Sequence, residues 1–150
     1  MAVNDQTDLK ILHELSRDGR MSNVELADKI GLSPSACLRR VQALEANGVI
    51  KGYRAVIDSE KLGMGFLAMV TVGLKDHTRS AQAQFEQAIA AAPEVRECHN
   101  VTGTIEYILR VEVADIAAFK YFHTERLGAL PMVTNISTYV VMASPKDERA

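Results

Sequence analysis

Hydroxyl and guanidinium side chains that could contact nucleic acid are concentrated in one short stretch of the sequence. An arginine guanidinium can donate two hydrogen bonds to guanine or to a phosphate group, and serine hydroxyls bond phosphates and base edges. A small residue beside them would let a helix sit close to a groove. The residues that fit these roles are Ser33, Pro34, Ser35, Ala36, Arg39, Arg40, Lys51 and Arg54. Their types and spacing predict a DNA-binding surface.

The distribution of charge agrees with this location. The chain of 150 residues has a net charge of −2, yet residues 29–54 carry five basic side chains and one acidic side chain, a net charge of +4. Positive charge gathered in one segment is the electrostatic footprint of many nucleic-acid-binding proteins. On charge alone a solvated basic surface is an equal alternative, so the elements that position these side chains must decide.

The first third of the sequence predicts three helices with a tight turn before the third. Ser22 and Glu25 have the spacing of a capping box, which begins the second helix, and Gly31 ends that helix. Ser33 is an N-cap for the third helix, and Pro34 takes its first position, where the missing N–H costs nothing. This arrangement predicts a helix-turn-helix whose third helix reads DNA.

The apolar spacing of the third helix assigns its two faces. The expected buried stripe consists of Cys37, Leu38, Val41 and Leu44, and the opposite face presents Ser35, Ala36, Arg39, Arg40 and Ala43. A small hairpin or strand is expected over residues 49–57. From there Lys51 and Arg54 would reach the neighbouring DNA backbone.

The rest of the sequence alternates strands and helices. The predicted order is strand 66–74, helix 80–92, strand 95–101, strand 105–113, a helix after Asp115 and a last strand after Pro131. This βαββαβ order is ferredoxin-like and α+β in class, with helices on one face of an antiparallel sheet. The other face, with Ile108 and Val141, needs burial, which predicts at least a homodimer.

A glycine-containing loop before the third strand has the composition of a small-molecule site. The loop contributes Thr102, Gly103, Thr104 and Glu106, and Asn100 and Tyr139 on neighbouring strands are candidates to line the same cavity. Gly103 permits close backbone approach, and the Glu106 carboxylate could accept the ammonium group of an amino acid. The alternative is that Gly103 serves only a hairpin turn and that Glu106 is a charge at the rim.

Other classes of protein fit the sequence poorly. No metal-ligand spacing and no phosphate-binding glycine loop occurs, so no cofactor or metal is expected. Cys98 and His99 are adjacent on a predicted strand and point to opposite faces, which argues against an enzyme. No disulfide and no membrane span is expected, which favours a cytoplasmic protein. A metabolite-sensing module whose helical domain binds a protein partner is the alternative to a DNA-binding regulator.

Two parts of the chain resemble one family. The run SNVELADKIGLSPSACLRRVQALEANGVIKGY resembles the N-terminal domain of the Lrp/AsnC family, the leucine-responsive and asparagine regulators. The second half is similar to the same family at Pro93-Glu94-Val95, Val101-Thr102-Gly103, Glu106-Tyr107 and Leu130-Pro131. The resemblance covers residues 5–143. It implies a winged helix-turn-helix that binds double-stranded DNA, followed by a ferredoxin-like effector and oligomerisation domain.

The resemblance also implies an effector site and a division into domains. An amino acid or related metabolite would bind at the loop 101–107, which adds Tyr107 to the site, and dimers would assemble further into octamers. The domain prediction is DNA binding at 1–57, a linker at 58–65, ligand binding and assembly at 66–143, and a tail at 144–150. Thr104 and Glu106 stand where the family often has aspartates, and Ala36 stands where it often has proline. These departures concern the effector and the preferred DNA site, not the fold.

Overall fold

The structure is a computed structural model that describes residues 5–147. The chain divides into two compact units, with the boundary between Val56 and Ile57. The expected linker 58–65 lies on the second unit's side of this boundary. Residues 148–150 of the expected tail lie outside the described residues. None of the helices within residues 5–147 is long and apolar enough to cross a membrane.

The first unit consists of the three helices that the sequence predicts. They are α1 (Gln6–Arg17), α2 (Asn23–Ile30) and α3 (Pro34–Ala46). The capping box of Ser22 and Glu25 is present, and Gly31 ends α2 with a φ of 78°, a conformation that favours glycine. All three helices contribute to one apolar core, formed by Ile11, Leu26, Ala27, Cys37 and Leu44. The predicted core position of Cys37 is confirmed, and burial raises the pKa of its thiol.

The segment after α3 differs from the prediction. Residues 49–57 form no strand or hairpin in the part of the chain that the structure describes. The backbone N–H groups of Val49 and Ile50 both donate to the Leu44 carbonyl, at 2.9 and 3.1 Å. The Tyr53 hydroxyl donates to Glu45 Oε1 at 2.8 Å. The segment therefore starts by capping the end of α3, and its β-branched residues have no strand edge to pair with.

The second unit is a four-stranded antiparallel sheet with helices on one face. Its elements are β1 (Phe66–Leu74), α4 (Arg79–Ala90), β2 (Val95–Asn100), β3 (Tyr107–Val113), α5 (Ile116–Tyr121), a π-helical turn (Phe122–Leu127) and β4 (Val133–Val140). The strand order across the sheet is β2-β3-β1-β4. The predicted βαββαβ order is confirmed, although β3 begins at Tyr107, two residues later than expected.

Alternation along the strands separates the two faces of the sheet. Val70 and Val72 of β1 and Leu109 of β3 point to the helices and pack with Phe85 and Phe122 in the core. The helix-free face carries the intervening residues, among them Met69, Ile108 and Tyr139. Glu106, directly before β3, falls on this helix-free side because Tyr107 faces the core. The loop that the sequence singles out thus opens at one end of the uncovered face.

Candidate functional sites

The turn between α2 and α3 is held by side-chain hydrogen bonds to backbone groups. Asn23 Nδ2 donates to the Pro34 carbonyl at 2.8 Å, which ties the start of α2 to the first turn of α3. Ser33 is the N-cap of α3, and its hydroxyl accepts the backbone N–H of Ala36 at 3.3 Å. The first turn of α3 is therefore fixed in direction before any partner binds.

The outward face of α3 is open. Ser35 and Arg39 are exposed, and Arg39 has no hydrogen-bond or ion-pair partner within residues 5–147. Ser35 Oγ lies 3.3 Å from Ser33 Oγ, so the two hydroxyls share one hydrogen bond at the helix start. Of the other predicted DNA-contacting residues, Pro34, Lys51 and Arg54 are exposed and Ala36 is half-buried. This face can accept a nucleic-acid surface without first breaking internal contacts.

Arg40 corrects the prediction that both arginines project from one face. Its Nη1 lies 2.7 Å from Asp5 Oδ2 and 2.8 Å from Asp8 Oδ1, so the guanidinium is held against α1. Hydrogen bonds to Asp8 and then Asp5 raise the pKa of Arg40 above its ordinary value. Each residue turns a helix by about 100°, so Arg40, three positions after Cys37, lies only ~60° from it. Arg40 therefore flanks the core and joins two helices.

Leu38 was assigned to the buried stripe and is instead 46% exposed. It follows Cys37 directly, about 100° around the helix, and so lies at the border of the outward face. Val41 is half-buried and Leu44 is buried, as the stripe requires. On α3, therefore, Leu38 is exposed where burial was predicted, and Arg40 lies beside the core where exposure was predicted.

The carboxylate of Glu106 is at the centre of the predicted effector loop and is held by the protein. The residue is only 9% exposed. Its Oε2 accepts the backbone N–H of Leu74 at 2.6 Å, and its Oε1 lies 3.0 Å from Nδ1 of His77. The alternative of an exposed rim charge is therefore wrong. The other carboxylate oxygen, Oε1, faces a histidine on an exposed loop.

Asn100 and the loop backbone close the turn. Glu106 N–H donates to the Val72 carbonyl at 3.0 Å, and the Glu106 carbonyl accepts the Val101 N–H at 2.9 Å. The Asn100 side chain also donates to the Glu106 carbonyl, at 3.2 Å. Asn100 therefore stabilises the loop by binding its backbone. Thr102, Gly103 and Thr104 are exposed at its tip, and Gly103 has a φ of 128°.

Tyr107 and Tyr139 are not brought to the Glu106 carboxylate. Tyr107 is 1% exposed, packs on Phe85 with ring centroids 4.5 Å apart, and donates its hydroxyl to Glu86 at 2.7 Å. Burial, then Glu86, raises the pKa of Tyr107. Tyr139 is exposed on the helix-free face opposite Met69. It lies four residues along β4 from the strand position opposite Gly73, about 13 Å at the rise of a strand.

The sequence interpretation missed two residues, His77 and Asn135. His77 contacts the Glu106 carboxylate directly. Asn135 lies opposite Gly73 in the β1–β4 register, and a Cβ at Gly73 would overlap the Asn135 side-chain amide. Glycine inside an otherwise apolar strand often marks such a close approach. That signal was present in the strand 66–74 and could have indicated a side chain lying across it.

Comparison with known proteins covers both units. The family model described as a winged helix-turn-helix DNA-binding domain matches residues 4–51, and the model of the Lrp/AsnC ligand binding domain matches residues 67–150. The chain belongs to the Lrp/AsnC family. The suspected resemblance is thereby confirmed, together with the α+β fold of a winged helix-turn-helix and a ferredoxin-like domain.

Relatives of this Lrp/AsnC protein align along nearly its whole length. It is 43% identical over 142 residues to the leucine-responsive regulatory protein of Haemophilus influenzae. The aligned region spans 95% of this chain and 86% of the relative. It is 41% identical over 143 residues to the proline dehydrogenase transcriptional activator of Rhizobium radiobacter, with coverage of 95% and 92%.

Solved structures of Lrp/AsnC regulators share the fold. A transcriptional regulator of Neisseria meningitidis in complex with L-Met superposes with a TM-score of 0.92 at 34% identity, covering 95% of this chain and 92% of the other. An AsnC family regulator of Agrobacterium tumefaciens has a TM-score of 0.89 at 31% identity, covering 95% and 93%. The chain is a transcriptional regulator of the Lrp/AsnC type, with a DNA-binding domain and a ligand-binding domain.

Proposed function

We propose that this regulator reads double-stranded DNA with the outward face of α3 and that a free amino acid or related metabolite modulates its binding or assembly. The observation that carries the proposal is the open face of α3. Arg39 and Ser35 stand exposed on it, and Arg39 has no partner among residues 5–147. An exposed guanidinium on the third helix of a helix-turn-helix is in position to read guanine or bind phosphate.

The neighbouring residues support contact with the DNA backbone. Ser33, Pro34 and Ser35 form the N-terminal turn of α3, where backbone N–H groups and the helix dipole favour a phosphate. Ala36 leaves room for close approach, and exposed Lys51 and Arg54 extend the basic surface. Arg40 is left out of this surface because it pairs with Asp5 and Asp8. Residues 1–57 are the proposed DNA-binding domain.

The effector proposal rests on the Glu106 carboxylate. A buried carboxylate at the edge of an open sheet face can accept the ammonium group of an amino acid through charge-assisted hydrogen bonds. Thr102, Gly103 and Thr104 are exposed in the same loop and are available to the rest of the ligand. The Neisseria regulator, 34% identical, was solved with L-Met. Residues 66–143 are the proposed ligand-binding and assembly domain.

Assembly would use the helix-free face of the sheet. Leu67, Met69 and Ile108 are half-buried there, and within residues 5–147 no helix covers this face, which Ser59 and Asp147 contact at Glu112 and Arg110. A second copy applied to this face would bury that apolar surface and give a two-fold dimer. Further association into octamers is part of the proposal. The regulator would act without catalysis, in the compartment that holds the DNA, the cytoplasm.

A fluorescence anisotropy titration tests the proposal. A labelled fragment from upstream of the protein's own gene is compared with scrambled DNA at two salt concentrations, with and without a mixture of amino acids. We expect preference for the upstream fragment, weaker binding at high salt because phosphate contacts release counterions, and a change on adding amino acids. Arg39→Ala should weaken binding by about 1–3 kcal/mol per contact, whereas Lys120→Ala on α5 removes the same charge without effect.

Two outcomes would contradict parts of the proposal separately. Absence of binding to either DNA at low salt would overturn the DNA-binding role and favour a metabolite sensor whose helical unit binds protein. DNA binding that no amino acid changes, with an unchanged mass in light scattering, would overturn the effector role and leave the DNA-binding role standing.

A further inference from the structure

His77 occupies one of the two oxygens of the Glu106 carboxylate. Its Nδ1 lies 3.0 Å from Glu106 Oε1, and its side chain is 79% exposed while that of Glu106 is 11% exposed. The exposed imidazole thus lies against a largely buried carboxylate. A ligand group that takes Oε1 must displace this contact.

The loop that carries His77 is fixed at both of its ends. Lys75 N–H donates to the Met132 carbonyl at 2.8 Å, at the start of the loop. Thr78 is the N-cap of α4, and Asp76 Oδ1 accepts its hydroxyl at 2.8 Å. The His77 side chain contacts Glu106 through its imidazole and is otherwise exposed. The backbone is therefore held while the side chain can turn away.

The two oxygens of Glu106 have different roles. Oε2 accepts a backbone N–H of the sheet at 2.6 Å, and its loss would leave the Leu74 amide without its acceptor. Oε1 has the imidazole of the exposed His77 as its partner. Because the Glu106 side chain is largely buried, Oε1 is costly to leave without a partner, so a ligand removes the imidazole only by replacing it. A cationic ligand group that replaces the imidazole would leave the rest of the loop intact.

We infer that His77 holds the place of the ligand's ammonium group on Glu106 Oε1, and that an effector binds by exchanging imidazole for ammonium. The inference rests on the proposed effector role and adds a selecting residue to it. The ligand class is a free α-amino acid. An α-keto acid of the same side chain has no cation with which to replace His77, and its own carboxylate is repelled by Glu106.

Calorimetric titration of the full-length protein with L-methionine, then with the other amino acids, tests the exchange. We expect His77→Ala to bind at least about fivefold more tightly than wild type, because the imidazole no longer competes for Glu106 Oε1. His99→Ala is the matched control, because His99 is also exposed and lies 3.1 Å from a carboxylate, that of Glu97. The control should keep the wild-type affinity.

Each result separates this inference from the proposed function. Equal amino-acid affinities of wild type and His77→Ala, or equal affinity of wild type for the α-keto acid, would overturn the exchange and leave the effector role intact. Failure of both proteins to bind any amino acid would overturn the effector role and the exchange together. A histidine NMR signal that moves on ligand binding in wild type and is missing in His77→Ala would support the exchange directly.

Discussion

The outward face of α3 and the loop 101–106 are both candidate binding sites, yet they are built in opposite ways. On α3, Arg39 and Ser35 project into solvent, and the hydrogen bonds of the turn lie beneath them. In the loop, Glu106 and Asn100 use their polar atoms to hold the chain itself. A surface that enters a DNA groove must stay open, whereas a small-ligand site must be held in position before the ligand arrives.

The two regions should therefore respond differently to substitution. A substitution on the open face should change binding and leave folding unaffected. A substitution of Glu106 should change both, because the same side chain serves the ligand and the fold. Two experiments test this contrast, and a third, with a smaller expected effect, tests the contact between α1 and α3 beside the open face.

The largest effect is expected for Ser35→Glu. The carboxylate would stand at the outward N-terminal turn of α3, where the helix dipole favours an acid by about 0.3–1 kcal/mol. The same carboxylate would repel DNA phosphates, so we expect at least a tenfold loss of DNA affinity, about 1.4 kcal/mol, together with an unchanged or higher melting temperature. Anisotropy and thermal melting measure the two quantities. Ser35→Gln is the control for size, and equal DNA affinity of both variants would show that this turn lies away from DNA.

An intermediate effect is expected for Glu106→Ala. Removing the carboxylate leaves the Leu74 N–H without its acceptor at a buried position, which costs about 1–3 kcal/mol of unfolding free energy. Urea unfolding of the full chain measures this loss, and calorimetry measures the accompanying loss of amino-acid binding. Thr104→Ala, at the exposed loop tip, should change stability by less than about 0.5 kcal/mol. A fully stable Glu106→Ala protein would mean that the carboxylate is not part of the loop's support.

The smallest effect is expected for the contact between Asp5, the N-cap of α1, and Arg40 of α3, which should weaken in acid. The pKa of Asp5 is lowered, mainly by hydrogen bonds from Thr7 and then by Arg40. Because the folded value lies below the ordinary value of 3.8, the stabilisation is present above pH 3.8 and is lost as the pH falls below it. Asparagine is also a good N-cap, so Asp5→Asn isolates the charge.

Thermal melting of wild type and Asp5→Asn at several pH values measures this effect. We expect the variant to melt lower near neutral pH and the two curves to converge in acid. Asp28→Asn, on the exposed side of α2, should follow the wild type throughout. A constant difference between wild type and Asp5→Asn across the whole pH range would contradict a role for the Asp5 charge.

Local signals in the sequence predicted most of the fold. The capping box of Ser22 and Glu25, the Ser33 cap and Asp115 as an N-cap are all confirmed, because a cap depends on residues within one turn. The βαββαβ order is confirmed because each element carries its own periodicity. The hairpin or strand at 49–57 was wrong because a strand also needs an edge, and nothing in a local pattern supplies one.

The candidate sites were predicted less completely. Arg39 was placed correctly, whereas Arg40 was assigned to the same face because the stripe was drawn through Leu38. Locating the partners of Arg40 required knowing that α1 brings Asp5 and Asp8 to it across more than thirty residues. His77 and Asn135 carry no motif, and only the folded sheet brings His77 to Glu106 and Asn135 to Gly73.

Spacing between near neighbours was enough to predict most helices and strands, their order, the family pattern and the basic third helix. Which charged groups are free and which are already paired depends on how distant parts of the chain pack. Arg39 and Arg40 are adjacent in the chain, and one is open while the other is bound. A side chain's partners depend on where distant elements pack, and that packing places the Asp5 and Asp8 carboxylates at Arg40 and the His77 imidazole at Glu106.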